Sequence, residues 1–306
     1  MRAARTVLAA TAVVALVSGT VSAAEGDAAP TTSVTSVVTP VADGLQVTGD
    51  VSFATYSLQV AEDAKGDATE TVPGELGTDI ISGTVTSDPV KPKDVTFALQ
   101  LDTLPAGGIG EAVIYGWDLL VDGAPTNGGT SSNLEWKRTN VTGVAASTSP
   151  YIRMRSCAPD ATTGNNTCEA SGQLPGAMDS ATALLTATAR LRDLGAVGGS
   201  AIGSNSISVY HGTGALWFPN IMSDSAFVDY EFVVPAREES VKFALVPSGA
   251  PTPKTFPVST TPSGTAATGS YSAVVPTAGL APGSYDLITQ ACWGGNCGET
   301  RTPVTL

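Results

Sequence analysis

The chain contains a single histidine, His211, among 306 residues, and this scarcity limits the chemistry open to it. A Ser-His-Asp triad would have to use that one residue, and no G-x-S-x-G, S-x-x-K or H-E-x-x-H motif is present. Structural zinc sites draw on cysteine and histidine, so a zinc centre is also disfavoured. His211 follows the strand-like residues 207–210, and we interpret it as part of a strand-end turn. The sequence therefore predicts a protein that is not an enzyme.

Aromatic residues make up 6% of the chain, which weakly disfavours a sugar-binding platform. Long apolar runs are confined to the first 23 residues, which combine two arginines, an apolar run over 7–17 and the small-residue site Val21-Ser22-Ala23. This is the pattern of a secretory signal peptide, and the run is shorter than the roughly 20 residues needed to span a bilayer. We predict cleavage after Ala23 and a secreted protein without a membrane span, held at a cell surface only by binding.

Basic residues are also scarce: 15 Lys and Arg stand against 28 Asp and Glu, for a formal net charge of −13. Such a surface repels phosphate backbones and anionic lipid, which argues against nucleic acid and membrane surfaces as partners. It suits solubility, or binding of Ca²⁺ or cationic polymers. Asp63, Asp67 and Asp79 are candidate Ca²⁺ ligands because hard cations prefer oxygen, although no EF-hand spacing is present and Asp and Gly also form turns. No other cofactor is predicted.

The four cysteines fall into two local pairs, which in an exported protein predicts two disulfides. Cys292 and Cys297 flank the sequence Trp-Gly-Gly-Asn, and a Gly-Gly pair is a two-residue hairpin turn signal. Such a turn places the two cysteines directly opposite each other, with Cα atoms about 4.5 Å apart, which a disulfide can bridge. Cys157 and Cys168 are then left to pair with each other.

With 33 glycines and 20 prolines, and many Thr, Val, Ser and Ala residues, the chain favours turns and strands over helices, so we predict an all-β protein. Residues 1–23 are the signal peptide, and residues 24–43, rich in Ala, Thr, Ser and Pro, are a predicted flexible leader. Residues 44–236 are predicted to form a jelly-roll-like β-sandwich. A polar break then leads to a small C-terminal Ig-like β-sandwich over residues 237–306. We expect each of these two domains to fold by itself.

Short motifs between residues 45 and 235 resemble the CBM9-like and DOMON-like β-sandwich domains of exported bacterial proteins. They are the Asp63-x-x-Gly66-Asp67 turn, the Val95-x-Phe97-x-Leu99-x-Leu101 alternation, and Leu191-Arg192-Asp193-Leu194-Gly195 followed by Gly198-Gly199. The resemblance implies a sandwich fold. Members of this group bind sugars or haem, or have no known ligand. Its haem-binding members use Met and His ligands, and one histidine in this chain disfavours haem.

The sequence Leu280-Ala281-Pro282-Gly283-Ser284-Tyr285 is similar to the L-x-P-G-x-Y step of immunoglobulin-like and fibronectin-III-like modules. The resemblance implies a tyrosine corner, in which the Tyr285 hydroxyl bonds back to the preceding backbone.

These features together predict an exported, non-enzymatic structural or adhesive binding protein of the bacterial cell exterior, whose partner is an extracellular glycan or protein. A carbohydrate-binding protein is the first alternative. Its candidate stacking residues are Trp117, Trp136 and Trp217, and core packing is the competing interpretation.

A secreted hydrolase is the second alternative. Asp118, Asp122 and Glu135 could supply a carboxylate pair of the glycosidase kind, although solvated strand faces explain most acidic residues in such an acidic chain.

Overall fold

The structure is a computed structural model. It describes residues 31–68, 77–105, 112–125, 131–139, 151–159, 166–204, 206–212, 221–228, 230–236, 240–265 and 267–306. Its strands, in chain order, are β1 Ser33–Val34, β2 Val37–Val41, β3 Gly44–Ser52, β4 Tyr56–Glu62, β5 Ile80–Ser87, β6 Asp94–Leu101, β7 Ala112–Asp118, β8 Leu120–Val121, β9 Ala124–Pro125, β10 Ser131–Thr139, β11 Tyr151–Pro159, β12 Asn166–Gln173, β13 Gly176–Asp179, β14 Leu184–Arg190, β15 Ala201–Gly203, β16 Ser206–Gly212, β17 Ile221–Phe227, β18 Phe232–Val233, β19 Val241–Pro247, β20 Val258–Thr260, β21 Ser263–Gly264, β22 Thr268–Pro276, β23 Ser284–Trp293 and β24 Asn296–Thr305. One short helix, α1, spans Leu191–Leu194. The predicted all-β class is confirmed.

The chain divides into two compact units, whose boundaries differ from those of the predicted domains. The inserted unit is Tyr56–Arg237, and the split unit combines residues 31–55 with residues 240–306. The prediction of a flexible leader over 24–43 is wrong from residue 33 onward, because β1 and β2 pair there with β3. β3 in turn pairs along its whole length with β22, more than 200 residues away in the chain. Local strand patterns carry no record of such a long-range pairing, so the sequence placed β3 in the wrong domain.

The split unit is a β-sandwich with the strand order of immunoglobulin domains. One sheet runs β1/β2–β3–β22–β21, which corresponds to the ABED sheet, and the other runs β20–β19–β23–β24, which corresponds to the CFG sheet with β20 as an additional edge strand beside C. Both sheets contribute to one apolar core, for example Val47 from the first and Phe243 and Leu287 from the second. The predicted tyrosine corner is confirmed, since the Tyr285 hydroxyl donates to the Ala281 carbonyl at 3.0 Å.

The N-terminal strands are fastened to the rest of the split unit by side chains and by close backbone approach. The Tyr271 hydroxyl donates to the Thr35 carbonyl at 2.5 Å, and the Thr32 amide donates to Asn296 Oδ1 at 3.2 Å. Gly298 lies so close to this segment that an added Cβ would be 2.0 Å from the Thr32 carbonyl oxygen. Residues 31–41 are therefore part of the fold of this unit.

The C-terminal hairpin has the predicted form. Cys292 and Cys297 are direct partners across β23 and β24, joined by a disulfide with Cα atoms 4.0 Å apart. For the first pair, the backbones of Cys157 and Cys168 are also direct partners, between β11 and β12. Their side chains lie outside the described part of the chain, so this second disulfide stays a prediction.

The inserted unit contains two large antiparallel sheets and a smaller one. The five-stranded sheet has the order β13–β14–β6–β5–β4, the six-stranded sheet β12–β11–β10–β7–β16–β17, and the small sheet β18–β15–β8–β9. Alternate residues of β6 and β14 are buried, as the period of two predicted. Phe97 of the five-stranded sheet meets Trp117 of the six-stranded sheet edge to face at 5.3 Å. The two large sheets thus enclose one core between them.

Residues 176–195 form two short strands followed by a helical turn. β13 and β14 occupy most of the segment, and α1 follows as one helical turn that ends at Gly195 with φ 72°. Among the described residues, no helix is long and apolar enough to cross a membrane.

Candidate metal centre

Three β-bulges of the inserted unit lie close in sequence to one group of aspartates. β4 has a register shift between Gln59 and Ala61, β5 between Ile80 and Ser82, and β16–β17 between Val209 and Tyr210. A bulge adds one residue to a strand and redirects the side chains beside it, and bulges are over-represented next to functional sites. Here two of them lie in β4 and β5, close to Asp63 and Asp79, and the third lies in β17 next to Asp224.

Carboxylates from these elements converge. One carboxylate oxygen each from Asp63, Asp67 and Asp224 can be chosen so that all three lie within 4.8 Å of one another. Asp63 directly follows β4, Asp67 lies in the turn after it, and Asp224 is on β17. Asp79, directly before β5, is a neighbour of this trio. We call the four residues together the aspartate cluster.

Backbone amides hold three of these side chains in place. Asp224 accepts from the Ile80 amide at 2.6 Å through Oδ2 and from the Ser225 amide at 2.8 Å through Oδ1. Asp79 Oδ2 accepts from the Gly66 amide at 2.8 Å, and Asp63 Oδ1 accepts from its neighbour Ala64 at 2.9 Å.

Gly66 makes the turn possible, because its φ of +88° is a conformation that other residues adopt only with strain. The hydrogen bond from the Gly66 amide to Asp79, which directly precedes β5, connects this turn with the start of β5.

Two carboxylate oxygens of the cluster are buried without a hydrogen-bond partner in the described part of the chain. They are Asp63 Oδ2 and Asp79 Oδ1, and Asp79 as a whole is only 6% exposed. An unpartnered buried oxygen is unfavourable unless something compensates its desolvation. A cation bound at the cluster would supply such compensation.

The cluster is electrostatically strained when it holds no ion. Burial, with a smaller contribution from the Asp63 charge, raises the pKa of Asp224 to about 6, against an ordinary 3.8. Burial also raises the pKa of Asp63, and the charges of Asp67 and Asp79 add to the effect. Ionised carboxylates this close to one another repel, and water screens the repulsion less between the buried groups than at exposed Asp67.

One lysine lies in the same turn, but it is bound elsewhere. The Lys65 ammonium contacts Asp102 Oδ1 at 2.5 Å, and this hydrogen bond is the main reason why the pKa of Lys65 is raised. Asp79 makes a smaller contribution to the same shift. Lys65 therefore offsets the charge of Asp79 in part and leaves the repulsion within the trio in place.

The predicted ligand set is partly reproduced. Asp63 and Asp67 are in the trio as expected, whereas Asp79 lies beside it and Asp224 was missed. Asp224 sits in a strand where alternation would turn either it or Ser223 outward, yet both are buried, at 8% and 5% exposure. The bulge causes this, and no local signal in the sequence indicates it.

Two of the three predicted sugar-stacking residues are buried in the core. Trp117 and Trp136 are 1% and 0% exposed and belong to the core, and the Trp136 indole donates to the Thr186 carbonyl at 3.0 Å. Their strand positions face the opposite sheet, so their assignment as ligand-binding residues is corrected to core packing. Trp217 lies outside the described residues.

The other candidates for chemistry have structural places. His211 is a buried residue of β16, and so lies within the strand rather than in a turn after it. Asp122 occupies a turn with φ 52° and accepts from the Ser200 hydroxyl at 3.0 Å and the Ala201 amide at 2.8 Å. Asp118 and Glu135 lie on neighbouring strands, two positions apart in register, and burial raises the pKa of Asp118.

Comparisons of the chain with protein families, with curated proteins and with solved structures find no match. The resemblance to CBM9-like and DOMON-like domains therefore stays a prediction.

Proposed function

We propose that this protein is an exported, non-enzymatic structural or adhesive binding protein that carries a divalent cation, Ca²⁺, in its inserted unit. The observation that carries the metal proposal is the convergence of Asp63, Asp67 and Asp224 within 4.8 Å, from two separate parts of the chain. The buried, unpartnered oxygen of Asp79 beside this trio supports the same proposal.

The donor set favours calcium over other metals. Every candidate ligand is a carboxylate oxygen, and oxygen ligands suit hard cations, while zinc and copper favour sites with cysteine or histidine. Ca²⁺ accepts six to eight oxygen ligands in flexible geometry, so water and backbone carbonyls can complete its shell. Mg²⁺ demands near-ideal octahedral geometry and gives up its water reluctantly, so we expect weaker binding of Mg²⁺.

Access to the site fits reversible ion exchange. Asp67 is exposed, Asp63 is half-buried and Asp224 is buried, so the cluster runs from the surface into the protein. An ion can enter from the Asp67 side and then replace the repulsion among buried charges by attraction.

The assignment to the cell exterior is supported by the signal-like first 23 residues and by the Cys292–Cys297 disulfide. The partner proposed for the mature protein remains an extracellular glycan or protein. The immunoglobulin-type order of the split unit is compatible with such a role, since many cell-surface domains share that architecture.

Isothermal titration of the calcium-free mature chain tests the metal proposal. We expect one Ca²⁺ per chain, weaker binding of Mg²⁺, and loss of the Ca²⁺ signal in Asp67→Asn and Asp224→Asn. Asp94→Asn is the matched control, because it removes the same charge from the start of β6 in the same unit. Absence of Ca²⁺ binding by the wild type, or equal loss in the control, would reject the proposal.

A further inference from the structure

The aspartate cluster lies at a seam between the two large sheets of the inserted unit. Asp63 and Asp79 flank strands β4 and β5 of the five-stranded sheet, whereas Asp224 belongs to β17, the edge strand of the six-stranded sheet. Two residues before Asp63, Ala61 forms an isolated antiparallel bridge with Val228, which directly follows β17. The edges of both sheets therefore meet beside the cluster.

One hydrogen bond crosses the same seam. The Ile80 amide, at the first residue of β5, donates to Asp224 Oδ2 on β17 at 2.6 Å. A carboxylate of the trio is thus also the acceptor that joins the two sheets. Anything that fixes the Asp224 carboxylate will also fix the start of β5 against β17.

We infer that the cation acts as a clasp between the two large sheets of the inserted unit, so that its occupancy sets the stability of that unit and leaves the split unit unchanged. This inference rests on the proposed function, because it assigns a role to the same ion.

The physical reason is the change in sign of the electrostatics. Without an ion, the ionised aspartates of two different sheets repel each other at the seam, and two buried oxygens lack a partner. With an ion, the carboxylates of the trio bind one shared cation, which attracts all three. An ion that binds the folded form alone favours folding by the factor 1 + [ion]/Kd, which is about 100-fold at 100 times Kd.

The first readout is thermal unfolding of the full mature chain in calcium-free buffer and with Ca²⁺ at 100 times its measured Kd. For a unit of this size, that excess should raise the unfolding midpoint of the inserted unit by about 5–10 °C. The midpoint of the split unit should stay where it is. Tryptophan fluorescence follows mainly the inserted unit, which contains three of the four tryptophans.

The second readout is hydrogen exchange at individual amides. The Ile80 amide donates to Asp224 across the seam and so reports on it directly. The Asp63 amide donates to the Ile81 carbonyl within the five-stranded sheet and reports on the attachment of the Asp63 turn to that sheet. Ca²⁺ should slow their exchange by more than tenfold. The controls are the Gly283 and Leu306 amides of the split unit, each of which donates to the carbonyl of the other residue. Their exchange rates should not change.

Two variants separate the clasp from a general effect of charge. Asp224→Asn retains an oxygen that can accept from Ile80 but loses the charged ligand, so its unfolding midpoint should no longer respond to Ca²⁺. Asp67→Asn tests the same loss at an exposed position, where folding is not at risk. Asp94→Asn should respond as the wild type does.

The outcomes distinguish the two proposals. If titration detects no Ca²⁺ binding, the proposed function fails and the clasp fails with it. If Ca²⁺ binds but the midpoint of the inserted unit and the exchange of Ile80 and Asp63 stay unchanged, the metal site stands and the clasp is refuted. If both units are stabilised equally, the ion acts on the whole surface charge and the clasp is again refuted.

Discussion

Acidification of a calcium-free solution is expected to stabilise the inserted unit, which is the reverse of the usual behaviour of carboxylates. Burial and the Asp63 charge raise the pKa of Asp224 to about 6, whereas the unfolded chain should show the ordinary 3.8. The folded protein therefore binds this proton more tightly than the unfolded one. Linkage then requires stability to rise as the pH falls through 6, with the gain complete below about 4.

The expected size follows from that window. Between pH 8 and pH 5, the Asp224 proton should contribute on the order of 1 kcal/mol to the free energy of unfolding. For a unit of this size, that corresponds to an unfolding midpoint about 2–4 °C higher at pH 5. Asp63 and Asp118, whose pKa values are also raised mainly by burial, act in the same direction. Exposed Asp179, whose pKa is lowered by its hydrogen bond with Thr182, acts in the opposite direction.

The assay is thermal unfolding followed by tryptophan fluorescence at pH 8 and pH 5, in buffers freed of metal by a chelating resin. In saturating Ca²⁺ the sign should reverse, because protons compete with the ion for the same oxygens. Asp224→Asn should reduce the calcium-free pH dependence, with the remainder due to Asp63 and Asp118, and Asp94→Asn should leave it as in the wild type. A calcium-free midpoint that falls between pH 8 and pH 5 would refute the electrostatic account of the cluster.

Three further predictions concern the split unit. Gly298→Ala should lower its unfolding midpoint, because the new Cβ would lie 2.0 Å from the Thr32 carbonyl oxygen; an unchanged calorimetric transition would show that residues 31–35 do not dock there. A fragment of residues 240–306 should stay unfolded by circular dichroism because it lacks β3, the partner of β22, whereas a fragment of residues 56–237 contains the whole inserted unit and should melt cooperatively; a folded C-terminal fragment would restore the division predicted from sequence. Replacing both Cys292 and Cys297 by Ser should destabilise the split unit by about 2 kcal/mol in denaturant titration, and equal stability would contradict the assigned bridge.

Much of the local structure could be predicted from the sequence. Alternation over residues 95–101 and 185–191 reflects sheets with one face on the core, and the Gly-Gly turn between Cys292 and Cys297 fixes its hairpin register. The tyrosine corner at Tyr285 is equally local, since its acceptor is four residues away. Each of these features depends on neighbours within a few residues, which is what a sequence pattern records.

The division into units could not be predicted in the same way. Strand β3 has a clear pattern of its own, yet nothing in it says whether its partner is β4, a few residues on, or β22. The prediction followed proximity along the chain, and the structure shows an insertion between two strands of one sandwich.

The metal site falls between these cases. Asp63 and Asp67 lie in one turn and were found from the sequence, because turn aspartates near a glycine are a visible pattern. Asp224 is more than 150 residues further on and is turned inward by a bulge, which only the pairing of β16 with β17 shows. The prediction for Trp117 and Trp136 was wrong for a different reason. Residue type alone suggested a role at the surface, whereas their strand register places them in the core.

The most direct test of this account is a crystal structure of the mature chain grown with Ca²⁺, with the ion located by its anomalous scattering. The account predicts one ion 2.3–2.6 Å from carboxylate oxygens of Asp63, Asp67 and Asp224, the distance range of calcium–oxygen ligation. An ion bound only elsewhere, or none at this cluster when Ca²⁺ is present in excess, would contradict it.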